Sequence, residues 1–463
     1  MASIAIIGGG PGGYEAALVA AQLGADVTLV ERDGIGGSTV LTDCVPSKTL
    51  IATAEVMTIV AGSKELGVVA GEHMAPDDVV RVDLDRVNAR VKHLARAQSI
   101  DIAGSLQRAG VRMIDGTGRL DGPEAVVVEH SDGSAERISA DTVLISTGAH
   151  PRVIAGCEPD GERILTWTQV YDLDVLPEHL IVIGSGVTGA EFASAYTALG
   201  SQVTLVSSRD RLLPGEDADA ADVLEGVFKR RGMTVLGRTR GERVERTGDG
   251  VRVHLGSGEV VEGSHCLMAV GSVPNTAGLG LEEAGVKLGD GGFITVDRVS
   301  RTSARGVYAA GDCTGVLMLA SVAAMQGRTA MWHALGDAVA PLALRSVAAN
   351  VFTDPEIATV GWSQAALEAS DVDARYLKLP LNTNARAKMQ GLQDGFVKLF
   401  CRASTGVVVG GVVVAPRASE LIFAVSEAVR QRMSVDDVAQ TFSVYPSLSG
   451  SIAEAARRLH SSE

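Results

Sequence analysis

Cys44 lies in the stretch GGSTVLTDCVPSK, residues 36 to 48, and no other cysteine stands near it in sequence. A lone thiol followed by Pro46, Ser47 and Lys48 can work as a thiolate, cycle through a sulfenic acid, or pack inertly. The other residues with chemical spacing are glycines. IAIIGGGPGGYEAALVAAQLGADVTLVERD from Ile4 aligns without a gap to LIVIGSGVTGAEFASAYTALGSQVTLVSSRD from Leu180. Each copy reads as a β-branched strand, G-x-G-x-x-G, an Ala-rich helix and a second strand VTLV, the pattern of a dinucleotide-binding βαβ unit. Gly8 and Gly184 permit the tight turn, Gly10 and Gly186 admit a pyrophosphate, and Gly13 and Gly189 let helix and strand close up. The helix N-terminus then offers N–H groups and a partial positive charge to the phosphates. The copies differ at the end of the second strand. Glu31 can accept both ribose hydroxyls, whereas Ser207, Ser208, Arg209 and Arg211 present hydroxyls and guanidinium groups to a 2′-phosphate. The second copy therefore favours NADPH, with NADH tolerated.

The elements that must position these residues follow from composition. At 463 residues the chain holds roughly three or four units, and 46% hydrophobic residues with 54 glycines suit parallel sheets flanked by helices. The fold class is α/β. A net charge of -15 argues against nucleic acid and against anionic lipid surfaces. The N-terminal MASIAIIGGGPGG reads as a first strand and not as a leader, and no run of about 18 apolar residues marks a membrane span. Cys44, Cys157, Cys266, Cys313 and Cys401 are too scattered for a disulfide framework or a zinc site, which fits a reducing cytoplasm. His254, His265 and His333 stand alone, so no metal is assigned.

Two more stretches, GVYAAGDCTG (306 to 315) and VLISTGAHP (143 to 151), join the repeated motif and CVPSK. With them the chain resembles the FAD-dependent pyridine nucleotide-disulfide oxidoreductases over essentially its full length. Within that family it is similar to a dihydrolipoamide-dehydrogenase-like branch of high-GC Gram-positive bacteria that acts as an NAD(P)H:quinone reductase. The resemblance implies FAD on copy one and the nicotinamide nucleotide on copy two. Asp312 would accept a hydrogen bond from the ribityl chain, and Lys48 would lie near flavin N5 and pair with Glu191. Thr39, Gly148 in the segment that crosses between domains, and Gly271 join the cofactor-binding set, and Leu319 and Ala320 mark a helix N-terminus facing the flavin pyrimidine. A C-terminal α+β interface domain follows, with Leu421, Ile422, Val425 and Val429 on one helix face, and a homodimer is implied. The implied domains are FAD-binding at 1–150, NAD(P)-binding at 151–273, a return to the FAD fold at 274–345 and the interface domain at 346–463.

Two departures from the family pattern change the expected chemistry. The redox segment of the family is G-G-x-C-x-x-x-x-C-x-P-S-K, and here Thr39 holds the place of the first cysteine, which leaves Cys44 alone. The catalytic His-Pro-x-x-x-Glu reads YPSLSG, with Tyr445 for the histidine and Gly450 for the glutamate. A phenol of pKa about 10 is a poor base at neutral pH and glycine orients nothing. Inert packing leads for Cys44, ahead of a flavin-contacting modulator and of turnover chemistry. For Tyr445, filling the vacated space stands slightly ahead of hydrogen-bonding an acceptor. The expected activity is transfer of two electrons from NADPH through FAD to a quinone. The rivals are a transhydrogenase, a non-catalytic flavoprotein subunit of a dehydrogenase complex and a residual disulfide reductase.

Overall fold

The apolar run Ser3–Ile7 forms a central parallel strand, hydrogen-bonded on one side to Asp26–Glu31 and on the other to Thr142–Ile145. This computed structural model describes residues 1–68 and 80–460, so the sequence stretch 69–79 lies outside the described residues. The chain divides into two compact units. The first comprises Met1–Thr49, Asn88–Arg152 and Gly271–Ala343, and the second comprises Leu50–Val87, Val153–Val270 and Leu344–Glu463. Leu50–Val87 groups with the second unit, although chain order would count it with the first. The helix Cys44–Gly62 runs across that boundary, and Glu55 feels the charges of Arg417 and Asp354.

In the first unit the strand order is Val307–Ala309, Thr142–Ile145, Ser3–Ile7, Asp26–Glu31 and Arg112–Asp115, all parallel. Fully buried strands of Val, Ile and Leu are what a parallel sheet covered on both faces demands. Helices Pro11–Gln22 and Ala320–Ala334 pack so closely that a methyl on Gly327 would collide with the Gly12 carbonyl. Glu15 and Arg328 tie the same two helices together at 2.8 Å. A separate antiparallel sheet of Thr117–Leu120, Ala125–Glu129 and Ala135–Ser139 carries the rest of one apolar core.

The second unit repeats the parallel plan with the order Thr234–Leu236, Gln202–Val206, His179–Ile183, His265–Met268 and Ile164–Thr166. It also holds an antiparallel sheet of five strands, Ala348–Val351 through Val408–Ala415, backed by helices Ala418–Gln431 and Gly450–Leu459. Ile422 and Val425 are buried there and Leu421 and Val429 pack at the margin, as the amphipathic spacing anticipates. Lys398, 0% exposed, is the unusual member of this sheet. Its Nζ meets both oxygens of Asp217 at 2.8 and 2.9 Å, Asp219 at 2.5 Å and Gln364 Oε1 at 3.0 Å. Asp217 also caps the helix Ala218–Arg230. Burial alone would raise the Asp219 carboxyl, but hydrogen bonds from Lys378 and Lys398 hold it below the usual carboxylate range.

Among the described residues one stretch, Gly37–Leu66, is long and apolar enough to cross a membrane by length and composition alone. It is not one helix. It breaks at Thr42 and Asp43 into Gly37–Leu41 and Cys44–Gly62, followed by the short turn Ser63–Leu66.

Replacing Lys398 with Met keeps the bulk and leaves the Asp217 carboxylate buried without its counter-charge. Urea unfolding should show a loss of about 3–5 kcal/mol, and adding Asp217→Asn should recover a large part of it.

Candidate functional site

The first glycine turn is built by close backbone approach. Gly8 has φ 103°, and a methyl there would collide with the Ser146 carbonyl. A methyl on Gly13 would strike the Gly8 carbonyl oxygen, so the helix Pro11–Gln22 starts directly against the strand it follows. Nothing lies within 4 Å of a methyl built on Gly10, which leaves that backbone open to a phosphate. Glu31 is fixed beside the turn, with Oε2 accepting from the Gly9 amide at 2.6 Å and Oε1 from Arg32 and Asp33. The thiol segment begins at the same place. The Gly36 amide donates to the Gly9 carbonyl at 2.9 Å, and a methyl on Gly37 would stand 2.9 Å from Gly10 Cα. Thr39 then lies on the short helix Gly37–Leu41, and Cys44 and Lys48 on the first turns of Cys44–Gly62. Lys48 Nζ lies 3.3 Å from Ser47 Oγ, and Cys44 is half-buried.

Asp312 reaches this region from the end of the edge strand of the sheet. It opens a tight turn after the strand Val307–Ala309, and Gln326 holds that turn through Gly311 N–H at 2.8 Å and Thr314 Oγ1 at 3.3 Å. Burial raises the Asp312 carboxyl to about 6, and the charge of Asp43 adds to the rise. Asp312 and the residue preceding Cys44 therefore share one electrostatic environment. Leu319 caps the helix Ala320–Ala334, whose first-turn amides have no partner within the helix. Gly148, at φ 69°, and Gly271, at φ 93°, turn the two chain segments that run between the parts of the fold. Asn275 clamps them, donating to the Thr147 carbonyl at 2.8 Å, accepting from Thr147 Oγ1 at its own carbonyl and meeting His150 Nδ1 at 2.6 Å.

The second turn repeats the first. A methyl on Gly189 would strike the Gly184 carbonyl, and Gly186 faces open space. The strand-end residue behaves differently from the sequence expectation. Ser207 is 1% exposed, and its hydroxyl bonds Ser185 Oγ at 2.7 Å and the Arg209 amide at 3.1 Å. It shapes the loop and does not present a hydroxyl to a 2′-phosphate, whereas Ser208 and Arg209 are exposed and Arg211 is partly so. Arg238 was not legible as part of this set. Parallel pairing of Gln202–Val206 with Thr234–Leu236 brings it alongside, where its amide donates to the Arg209 carbonyl and its Nε to Asp210 at 2.9 Å. Glu191 is buried on the following helix, where its carboxylate accepts from the Phe352 amide at 2.9 Å.

A sequence profile described as pyridine nucleotide-disulphide oxidoreductase matches residues 2–327, and the dimerisation domain of the same family matches residues 347–456. The chain belongs to this family. Its members use FAD and NAD(P)H, in keeping with the two glycine turns. The oxidoreductase is 57% identical to a protein of Mycobacterium tuberculosis (strain H37Rv) named NAD(P)H dehydrogenase (quinone), over 98% of this chain and 93% of that one. It is 34% identical to a dihydrolipoyl dehydrogenase of Chlorobaculum tepidum, over 98% and 96%. The crystal structure of LpdA from Mycobacterium tuberculosis superposes with a TM-score of 0.94 at 56% identity and covers 100% of both chains.

All five cysteines of this oxidoreductase are free thiols, and Cys157, Cys266, Cys313 and Cys401 are buried. Burial pushes the Cys313 thiol up to about 11 and Cys157 and Cys401 also upward, so none of these is a ready nucleophile. Among the described residues no cluster of His, Cys, Asp and Glu could hold a metal ion. Tyr445 is 86% exposed in the single chain and so fills no space in its own subunit. Gly450 begins the helix Gly450–Leu459, where its amide donates to Ser447 Oγ at 3.1 Å.

Folding raises the Asp312 pKa, so this group contributes stability that is present below about pH 4 and lost as pH rises through about 6. Asp312→Asn should therefore stabilise the FAD-free protein by on the order of 1–3 kcal/mol at neutral pH. The gain should fade on acidification, when both versions are neutral, and chemical denaturation across pH reads both effects.

Proposed function

We infer that the protein is an FAD-dependent NAD(P)H dehydrogenase that delivers two electrons to a quinone-type acceptor and does not reduce disulfides. The observation that carries this reading is the isolation of Cys44. Thr39 stands where a partner thiol would be needed, so thiol exchange lacks its entry point. The name of the Mycobacterium tuberculosis relative supports the same acceptor class.

In this reading Gly8, Gly10, Gly13 and Glu31 hold the FAD dinucleotide, Asp312 accepts from its ribityl chain, and Thr39, Gly148 and Gly271 line its path. Leu319 and Ala320 present a helix N-terminus to the pyrimidine edge, where a positive dipole end favours negative charge. Gly184, Gly186 and Gly189 hold the pyrophosphate of NADPH. Ser208, Arg209 and Arg211 meet its 2′-phosphate, Ser207 props the loop from beneath, and NADH binds more weakly. FAD, when bound, supplies a two-electron carrier between the nicotinamide and the acceptor, so that NADPH, a proton and quinone become NADP⁺ and hydroquinone. Lys48 and Glu191 position the two sides of that carrier. Tyr445, exposed in the single chain, would line the acceptor side from the second subunit of a homodimer, where its hydroxyl could donate a hydrogen bond to a quinone oxygen. The setting is the cytoplasm.

Steady-state NADPH oxidation with a naphthoquinone, with lipoamide and with thio-NAD⁺ separates the alternatives. Rapid naphthoquinone turnover with lipoamide silent is the expected result. Dominant lipoamide reduction would overturn the reading, and activity confined to thio-NAD⁺ would make the protein a transhydrogenase. Arg209→Ala should raise KM for NADPH about 10-fold or more, the size of one lost charge-assisted hydrogen bond, and leave KM for NADH within about 2-fold.

A further inference from the structure

A cavity of about 630 Å³ opens in the first unit beside Val307–Ala309, the strand at one edge of the parallel sheet. That volume falls in the range of small-molecule sites. Lys287, Arg301 and Arg305 line it, and its one carboxylate, Asp297, is engaged by Arg301 at 2.7 Å. Three cations against one carboxylate make a locally positive pocket on a chain of net charge -15. Between the cations Val296 offers apolar surface and the Tyr308 ring shows only its edge at the floor, and the Tyr308 hydroxyl is tied to His333 Nδ1 at 2.8 Å.

We propose that this cavity binds a small organic anion with an apolar body, its charged group between Lys287 and Arg305 and its body against Val296 and the edge of the Tyr308 ring. Arg301 is occupied by Asp297 and serves as a fixed wall, while Lys287 and Arg305 are exposed and able to swing onto a carboxylate. Position gives such a ligand a consequence. The strand Val307–Ala309 leads directly to Gly311 and Asp312, and the helix that begins at Ala320 ends beside the cavity at His333. A bound anion thus touches the far ends of the two elements whose near ends form the candidate flavin site. The cavity is separate from the nucleotide turns.

The test uses the FAD-loaded protein and benzoate, with benzamide as the neutral isostere and inorganic phosphate as an anion without an apolar body. Calorimetry and ligand-observed NMR should show saturable benzoate binding at least ten-fold tighter than benzamide or phosphate. Lys287→Gln with Arg305→Gln should weaken it at least ten-fold, with FAD content and NADPH-dependent turnover unchanged. Binding that is unsaturable, that survives the double substitution, or that NADPH or naphthoquinone displaces would overturn the proposal. Equal binding of phosphate would overturn the apolar half of it. Because the readout is binding and not turnover, the result is independent of which acceptor the enzyme reduces.

Discussion

Steric contact between backbone atoms at the two glycine turns is the constraint on which the rest depends. At Gly13 against Gly8, and again at Gly189 against Gly184, there is no room for a single methyl group. That approach sets each helix directly on its strand, so the helix N-terminus and the strand end converge on one point. The open backbone at Gly10 and Gly186 is the space left over for phosphate. Further residues are recruited to the first turn by the same economy of atoms. Gly36 bonds the Gly9 carbonyl, Gly37 crowds Gly10, and Glu31 bonds the Gly9 amide, so the thiol segment is anchored on the nucleotide turn itself.

This anchoring shows how the segment keeps its shape with Cys44 as its single cysteine. The bond between two cysteines would have constrained residues 39 and 44, but the glycine contacts and the helix from Cys44 already do so. A planar acceptor that takes up two electrons asks for position and little acid or base help, which suits a chain with Tyr445 and Gly450 in place of a histidine and a glutamate.

Sequence reading reached the residues whose partners are local. The glycine turns, Glu31 and the buried face of Ala418–Gln431 each follow from spacing within about 25 residues, the span of one βαβ unit. Residues whose meaning lies in a distant partner stayed hidden. Gln326 holds the Asp312 turn, Asn275 clamps Thr147, and Lys398 seats Asp217, and no periodicity announces any of them. Arg238 joins Arg209 only because two strands pair in parallel. Ser207 shows the opposite error, since its type suits a phosphate contact and its burial against Ser185 forbids one.

In the proposed reaction one flavin, with no thiol pair beside it, handles all the electrons. An anaerobic titration of the FAD-loaded protein with NADPH, followed by flavin absorbance and by the amount of NADP⁺ formed, tests it directly. Uptake should stop at one NADPH per flavin, two electrons, with no further consumption on adding more. Uptake of a second equivalent per flavin would reveal a reducible sulfur partner for Cys44 and would contradict it.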